Sequence, residues 1–331
     1  MGSMSHGTTA RIVVTGAAGM VGSHVAEQLL ARGDAVVGVD NFLTGSPENL
    51  ATLAERPGFE FVEANVCDPL DVAGPLDAVL HLASPASPRH FESIPLDILR
   101  VGGIGVLNTL DLASRHGARF LFASSSEVYG DPAVHPQHEG YTGNVHLRGV
   151  RACYDESKRF GEAAVNTYHR AEGLDTRIVR IFNTYGPRMH PYDGRVVSNF
   201  IRQAMQGEDI TIFGDGKQTR SFCYRDDLVE GIIRMMNGPD EFVGPVNIGN
   251  PGEFTIRELA ELVVKMTGSK SRFVERPLPA DDPTQRQPDI SLAKKELGWE
   301  PKIALREGLE KTIDWFKSVK LSDYRAPTPN Y

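Results

Sequence analysis

Short apolar runs and helical spacings alternate along the first half of the chain. Ile12-Val13-Val14, Ala35 to Val39, Phe59 to Glu63, Ala78 to Ala83, Arg119 to Ala123 and Thr176 to Ile181 each read as a strand. Helical patterns stand between them at His24 to Ala31, Leu96 to His116 and Cys153 to Glu172. Strands alternating with helices predict an α/β fold, a doubly wound parallel sheet of Rossmann type covered on both faces. The second half is less regular. Helices are expected at Val196 to Met205, Asp227 to Met236, Ser291 to Leu297 and Arg306 to Phe316, with a short strand at Ile210 to Phe213. Thr255-x-x-Glu258 is a capping box that opens a further helix to Met266. Pro277, Pro279, Pro283 and Pro288 keep the region between extended. The tail after Val319 is polar and is expected to be poorly ordered. The pattern gives a Rossmann-type domain over 8–182 with parts of 226–249. A smaller C-terminal lobe over 183–225 and 250–318 lies across its strand ends, and 1–7 and 320–331 are tails.

The first strand runs into Gly16-Ala17-Ala18-Gly19-Met20-Val21-Gly22. Gly16 allows a tight turn at the strand end. Gly19 lets backbone amides approach a pyrophosphate, and Gly22 lets the helix pack close to the sheet. The amides of Met20, Val21 and their neighbours then face the phosphates at a helix N-terminus. Asp40 ends the second strand, where a carboxylate accepts both ribose hydroxyls and repels a 2′-phosphate. The cofactor expected is therefore NAD, not NADP. Asn41, Phe42, Thr44 and Gly45 follow Asp40, Asn65-Val66 follow the third strand, and Leu82-Ala83-Ser84-Pro85 close the fourth. These are the loops expected at the cofactor, with Pro85 toward the substrate.

Charge and cysteine content narrow the partners. Lys and Arg number 35 against 43 Asp and Glu, a formal charge of −8. That field disfavours nucleic acid and anionic membrane, so an anionic substrate needs a local basic cluster. Cys67, Cys153 and Cys223 are odd in number and widely spaced, which points to a reducing, cytoplasmic setting. No run approaches the ~18 apolar residues of a membrane span. Met1-Gly2-Ser3-Met4 reads as an added leader, and no metal site is expected.

Tyr154 and Lys158 sit four apart, so they share one helix face. A neighbouring ammonium is expected to lower the phenol toward working pH. Such a tyrosine can take a proton from a sugar hydroxyl as hydride leaves for a nicotinamide. Ser125 stands at the carboxyl edge of the sheet and can bond the same oxygen.

With these residues in place the chain resembles the extended short-chain dehydrogenases/reductases, and among them the UDP-glucuronate decarboxylases that make UDP-xylose. The resemblance runs from Arg11 to Phe316. It is carried by Ser124 to Pro132, His135-Pro136-Gln137, Cys153 to Arg159, Arg180 to Met189, Asp193 to Phe200, Phe213 to Phe222, and Asp281-Asp282-Pro283 with Arg286. It implies a catalytic triad of Ser125, Tyr154 and Lys158, with Glu127 acting in decarboxylation and Arg286 meeting the sugar carboxylate. It implies that Asn183, Lys217 and Arg220 serve the UDP pyrophosphate and that Phe213 flanks uracil. Arg188, Arg195, Val197, Thr211 and Gln218 complete the expected substrate set. The expected substrate is UDP-glucuronate, and the expected assembly a homodimer through helices 96–116 and 153–172.

Two stretches and one single residue depart from that pattern, and both stretches are expected to border the sugar or the partner subunit. Phe91 to Val106 carries Ile94-Pro95, Asp97-Ile98 and Val101-Gly102-Gly103, and glycines at 102, 103 and 105 each cost a helix about 1 kcal/mol against alanine. Thr142 to Val150 carries His146-Leu147-Arg148 in place of the usual residues, and Asn65 replaces an aspartate. The nearest rival activity is a UDP-sugar 4-epimerase. A 4,6-dehydratase would want an acid where Ser126 stands, and a non-catalytic NAD sensor would not need both Tyr154 and Lys158.

Overall fold

The computed structural model describes residues 9–278 and 285–324. Pro279, the Asp281-Asp282-Pro283 segment, and residues 1–8 and 325–331 lie outside the described residues.

The first half forms β1 (Arg11–Thr15), α1 (Met20–Ala31), β2 (Ala35–Asp40), β3 (Phe59–Glu63) and β4 (Ala78–His81). The short helices α2 (His90–Ser93) and α3 (Pro95–Arg100) lead through a π-helical turn at Val101–Gly105 into α4 (Val106–His116). Then come β5 (Arg119–Ser125), a 3-10 turn at Ser126–Tyr129, α5 (Ala152–Glu172) and β6 (Thr176–Ile181). The second half adds β7 (Thr184–Tyr185), α6 (Val196–Gln206), β8 (Ile210–Phe213), β9 (Thr219–Ser221), β10 (Cys223–Tyr224) and α7 (Arg225–Met236). It ends with β11 (Val246–Ile248), β12 (Glu253–Thr255), α8 (Ile256–Thr267), β13 (Phe273–Arg276), α9 (Ser291–Leu297) and α10 (Leu305–Ser318).

Seven strands make one parallel sheet in the order β11-β6-β5-β4-β1-β2-β3. The chain order reverses between β1 and β4, so their carboxyl ends open a crevice at the switch point. Successive side chains on β1 face opposite ways. Ile12 and Val14 join Leu29, Ile232 and Trp299 on one face, and Val13 joins Val79, Phe120, Leu110 and Val165 on the other. This two-sided burial is why the strands read as unbroken apolar runs. A further cluster gathers Phe200, Leu259 and Leu309 from α6, α8 and α10. The Thr255/Glu258 capping box is formed at the start of α8.

Three features differ from the expectation. β11 completes the sheet beside β6, and its three residues are too short to show a period. The helix expected from Leu96 is broken by the wide turn at Val101–Gly105. Two of its glycines are required there. A Cβ at Gly102 would lie 2.2 Å from that of Ser157 on α5, and one at Gly105 would lie 2.8 Å from Val66. The tail does not fray at once, because Leu321–Asp323 form a 3-10 turn and Tyr324 is buried against His190 and Trp315.

Candidate active site

The crevice at the ends of β1, β2 and β4 is lined by Gly16, Gly19, Asp40, Asn41, Thr44 and Gly45, and by Asn65, Val66, Leu82, Ala83, Ser84 and Pro85. Its shape depends on missing side chains. Gly16, at φ +73°, passes so close to β4 that a Cβ would lie 2.8 Å from the Ala83 nitrogen. A Cβ at Gly22 would lie 2.0 Å from the Gly16 carbonyl oxygen. No side chain caps α1, which leaves the amides of its first turn for a phosphate. This cradle fits a dinucleotide. The Met20 and Val21 side chains pack into the apolar clusters, so these residues have only their amides to offer a ligand, and Gly22 only its lack of a side chain. Phe42 likewise turns inward, its ring tilted against that of Phe61 at 5.3 Å. Its amide, like that of Ala18, donates to the Asp40 carboxylate at 2.9 Å. Those bonds hold the carboxylate in place, and it keeps lone pairs for a ribose. The Asn65 side-chain oxygen accepts from the Cys67 amide, which fixes that side chain at the crevice wall.

Ser125, Tyr154 and Lys158 come together, all less than a tenth exposed. β5 ends at Ser125, whose hydroxyl accepts from the Glu127 amide at 3.2 Å and lies near enough to Tyr154 to pull its phenol down. Helical spacing on α5 aims Tyr154 and Lys158 the same way, and Lys158 Nζ donates to the Ala123 carbonyl at 2.8 Å. The expected lowering of the phenol is not found. Burial pushes Tyr154 up to about 12, against the opposing pull of Ser125 and Arg195. Burial also brings Lys158 down to about 7, against the pull of Glu162, so the lysine is a weak source of positive field.

Beside the triad lies a group of charges. Glu127 Oε2 accepts from Arg151 at 2.6 Å and from Arg286 at 3.3 Å. Burial alone would raise this carboxyl, but Arg286 and Arg151 hold it at about 2. Arg286 is 2 % exposed and also donates to the carbonyls of Ser126 and Gly130. Its Nε is buried without a partner. Asp155, next to Tyr154, is 5 % exposed, and burial followed by repulsion from Glu127 lifts it to about 7.

The expected sugar-nucleotide residues divide. Phe213 is 42 % exposed at the end of β8 and is free to stack. Asn183 is half-buried at the β6 end, and its carbonyl accepts from the Cys223 amide. Arg195 reaches the Ala86 carbonyl at 2.7 Å, and its charge is felt at Tyr154. Arg220 is half-buried on β9, and its charge is felt at Glu127. Thr211 and Gln218 are engaged with Gln203 and the Phe213 carbonyl. Three others point elsewhere. Val197 is buried in the lobe core, Lys217 is exposed and paired with Asp215 at 3.1 Å, and Arg188 bonds His24 and Thr52 and pairs with Glu27 beside α1.

Sequence reasoning missed Arg151 and Asp155 at the site, and named Phe91 and Val101 only within a departing stretch expected to border the sugar or a partner subunit. Val101 lines the crevice. Phe91 stacks on Tyr154 at 5.2 Å and carries the Arg151 guanidinium over its ring at 5.2 Å. Position 151 precedes Tyr154 by three, so helical spacing held the only available signal.

Residues 12–249 match the model of the NAD dependent epimerase/dehydratase family. The chain is 51 % identical to UDP-glucuronic acid decarboxylase 1 of Arabidopsis thaliana over 313 residues, 95 % of this chain and 71 % of the relative. It is 50 % identical to UDP-glucuronic acid decarboxylase 1 of Danio rerio over 306 residues, 92 % and 72 % of the two chains. Among solved structures, UDP-glucose 4-epimerase from Thermotoga maritima with UDP-glucose is 31 % identical, with a TM-score of 0.84, over 93 % of this chain and 99 % of that one. UDP-glucuronic acid 4-epimerase from Bacillus cereus, in complex with UDP-glucuronic acid and NAD, is 27 % identical at the same TM-score and coverage. Half-identity across nearly the whole chain, on a fold with the glycine cradle and the Ser-Tyr-Lys triad in place, leaves one assignment: the chain belongs to the NAD dependent epimerase/dehydratase family, and within it to the UDP-glucuronic acid decarboxylases.

Proposed function

We propose that this protein converts UDP-glucuronate to UDP-xylose and carbon dioxide through a UDP-4-keto-hexuronate. The observation that carries the reading is a dehydrogenase triad set against a buried glutamate held by two arginines. A sugar carboxylate cannot be expelled from a saturated ring, but it can leave from a β-keto acid. NAD, when bound, accepts the hydride from C4 and later returns it, so the reaction needs no outside oxidant. Tyr154 would take the 4-hydroxyl proton as the tyrosinate, a form that burial disfavours and that the positive nicotinamide ring of bound NAD would favour, and Ser125 bonds the same oxygen. The C5–C6 bond then breaks, and its electron pair enters the C4 carbonyl as an enolate stabilised by Tyr154, Ser125 and Lys158. C5 takes a proton, and Tyr154 gives its own back to the C4 oxygen. Arg286 receives the substrate carboxylate, and Glu127 keeps it from being held too tightly. The lobe over 183–225 and 250–318 holds UDP, with Arg220 and Asn183 at the pyrophosphate and Phe213 at uracil.

We also infer a homodimer. Leu96, Leu99, Ile104, Leu107 and Phe160 stand exposed on the α3–α4 and α5 faces, and light scattering is expected to give twice the chain mass. Three free thiols support a cytoplasmic setting. Among the described residues no helix is long and apolar enough to cross a membrane. The direct test incubates the purified protein with UDP-glucuronate and no added NAD. Carbon dioxide and a UDP-pentose are expected, with NAD and not NADP in the acid extract. UDP-galacturonate without carbon dioxide would establish an epimerase instead.

A further inference from the structure

We propose that Asn247 is a positioning residue for the loss of carbon dioxide: with Tyr129 and Gln137 it fixes the Arg286 segment against the turn that carries Glu127. The inference rests on the functional reading above and concerns how its site keeps Arg286 in place.

Arg286 lies on a stretch, 285–290, that belongs to no helix or strand and makes a β-bridge from Pro288 to Gln137. A loop residue meets a substrate group reproducibly only when its surroundings hold it. Here two fully buried amides do the holding. The Gln137 side-chain oxygen accepts from the Gln287 amide at 2.9 Å. Its backbone bonds both ways, the amide donating to the Gln287 carbonyl at 2.9 Å and the carbonyl accepting from the Asp289 amide at 2.8 Å. Asn247, on β11, donates through Nδ2 to the carbonyls of Gln137 at 3.0 Å and Asp289 at 3.1 Å. Its Oδ1 accepts from the Tyr129 hydroxyl at 2.8 Å, and its backbone amide donates to Glu139.

Tyr129 ends the same turn, Ser126–Tyr129, that carries Glu127. Arg286 returns to that turn from the other side, donating to the carbonyls of Ser126 and Gly130. The bonds therefore close a ring that runs from the turn through Tyr129, Asn247, Gln137 and the 287–289 backbone to Arg286 and back. An asparagine amide suits the hub, because one rigid plane offers two donors and an acceptor. Arg180 donates to the Tyr129 hydroxyl at 2.9 Å, which commits the hydroxyl hydrogen to Asn247. A hydroxyl on one side and two carbonyls on the other then fix which way the amide faces. Without Asn247 the turn and the segment lose their shared anchor in a buried setting, and both must shift to satisfy the freed groups. Only the loss of carbon dioxide uses this ring, since only there does a carboxylate stand at Arg286. Hydride removal depends on Ser125 at the end of β5 and on Tyr154 and Lys158, which α5 carries.

The test separates the two steps with two ligands on the NAD-loaded protein. UDP-xylose has a 4-hydroxyl and no carboxylate. It can pass hydride from C4 to NAD and its hydroxyl proton to Tyr154, giving a UDP-4-keto-pentose and bound NADH. UDP-glucuronate must lose carbon dioxide as well. Asn247→Ala is expected to slow carbon dioxide release by about tenfold or more and to raise the bound NADH seen during turnover of UDP-glucuronate. Its rate of NADH formation from UDP-xylose should stay within about twofold of wild type. Asn247→Asp, kept protonated by burial, retains the acceptor and one donor and should recover part of the loss. Tyr129→Phe removes one hydroxyl and should show the same split in smaller measure, and it decides the matter if Asn247→Ala does not fold. Equal slowing with both ligands, or carbon dioxide release at the wild-type rate, would overturn the inference. A wild-type protein that frees no carbon dioxide overturns the functional reading as well. A decarboxylating wild type whose variants show no split overturns the inference alone.

Discussion

The two halves of the site are made of different material. At the cofactor crevice the decisive features are backbone: Gly16 turned to positive φ, Gly22 packed on the Gly16 carbonyl, and a helix with an open first turn. At the substrate side they are long charged side chains, Glu127, Arg151 and Arg286, already bonded to one another. The first half depends chiefly on backbone shape, with Asp40 its one carboxylate. The second is an electrostatic balance that one substitution shifts. A cradle built from missing atoms tolerates almost no added atom, whereas a salt-bridged cluster tolerates change of shape better than change of charge.

The comparison can be broken most strongly at the triad that joins the halves. Tyr154→Phe keeps the ring against Phe91 and removes only the hydroxyl. Turnover should fall by about a hundredfold or more, with bound NAD and melting temperature close to wild type. Near wild-type turnover would move the proton-transfer role elsewhere.

The backbone half is sharpened by a pair of alanine substitutions. Gly22→Ala places a Cβ into the Gly16 carbonyl, so the turn must shift. Dinucleotide carried through purification should fall by more than half, with a stability loss on the order of 1–3 kcal/mol. Gly103→Ala meets nothing within 4 Å and should leave NAD content unchanged while gaining up to about 1 kcal/mol. Equal NAD content in both variants would mean the cradle is looser than its distances imply.

The smallest effect is a pH dependence. Folding raises the Asp155 carboxyl from 3.8 to about 7. The unfolded chain loses that proton first, so the fold is penalised above about pH 4, and increasingly so up to about pH 7. Asp155→Asn should therefore be more stable than wild type at pH 8, and the difference should vanish toward pH 4. Denaturation midpoints at the two pH values measure it. Asp155→Asn less stable than wild type at pH 8 would mean Asp155 is an ionised partner of Arg151.

What could be read from the chain follows the same division. Spacing alone located the cradle, because Gly16, Gly19, Gly22 and Asp40 act through φ, close approach and strand position, all local in sequence. Six of the seven sheet strands were legible for the same reason, and β11 was not, because three residues carry no period. The charged half depended on which way long side chains turn. Lys217 lies in a segment expected at the pyrophosphate, yet it points to solvent and pairs with Asp215. Val197 was expected at substrate and packs with Phe200 in the lobe core. Arg188 turns to His24. Arg151 went unseen because its meaning comes from Glu127, 24 residues away on another element.

The π-helical turn at Val101–Gly105 works as a phase adjuster. A regular α-helix advances about 100° per residue, so one extra residue in a wide turn rotates everything before it by about that angle. On the near side, Phe91 and Ile98 cup Tyr154, and on the far side Val106 and Leu110 sit in the sheet-facing core. A continuous helix could not satisfy both facings with this spacing. Gly103, where an added Cβ would meet nothing within 4 Å, is the residue whose removal would restore the regular winding. Its deletion should leave both helices intact and swing the aromatic wall off the catalytic tyrosine, changing the aim of one segment with almost no change in what is folded.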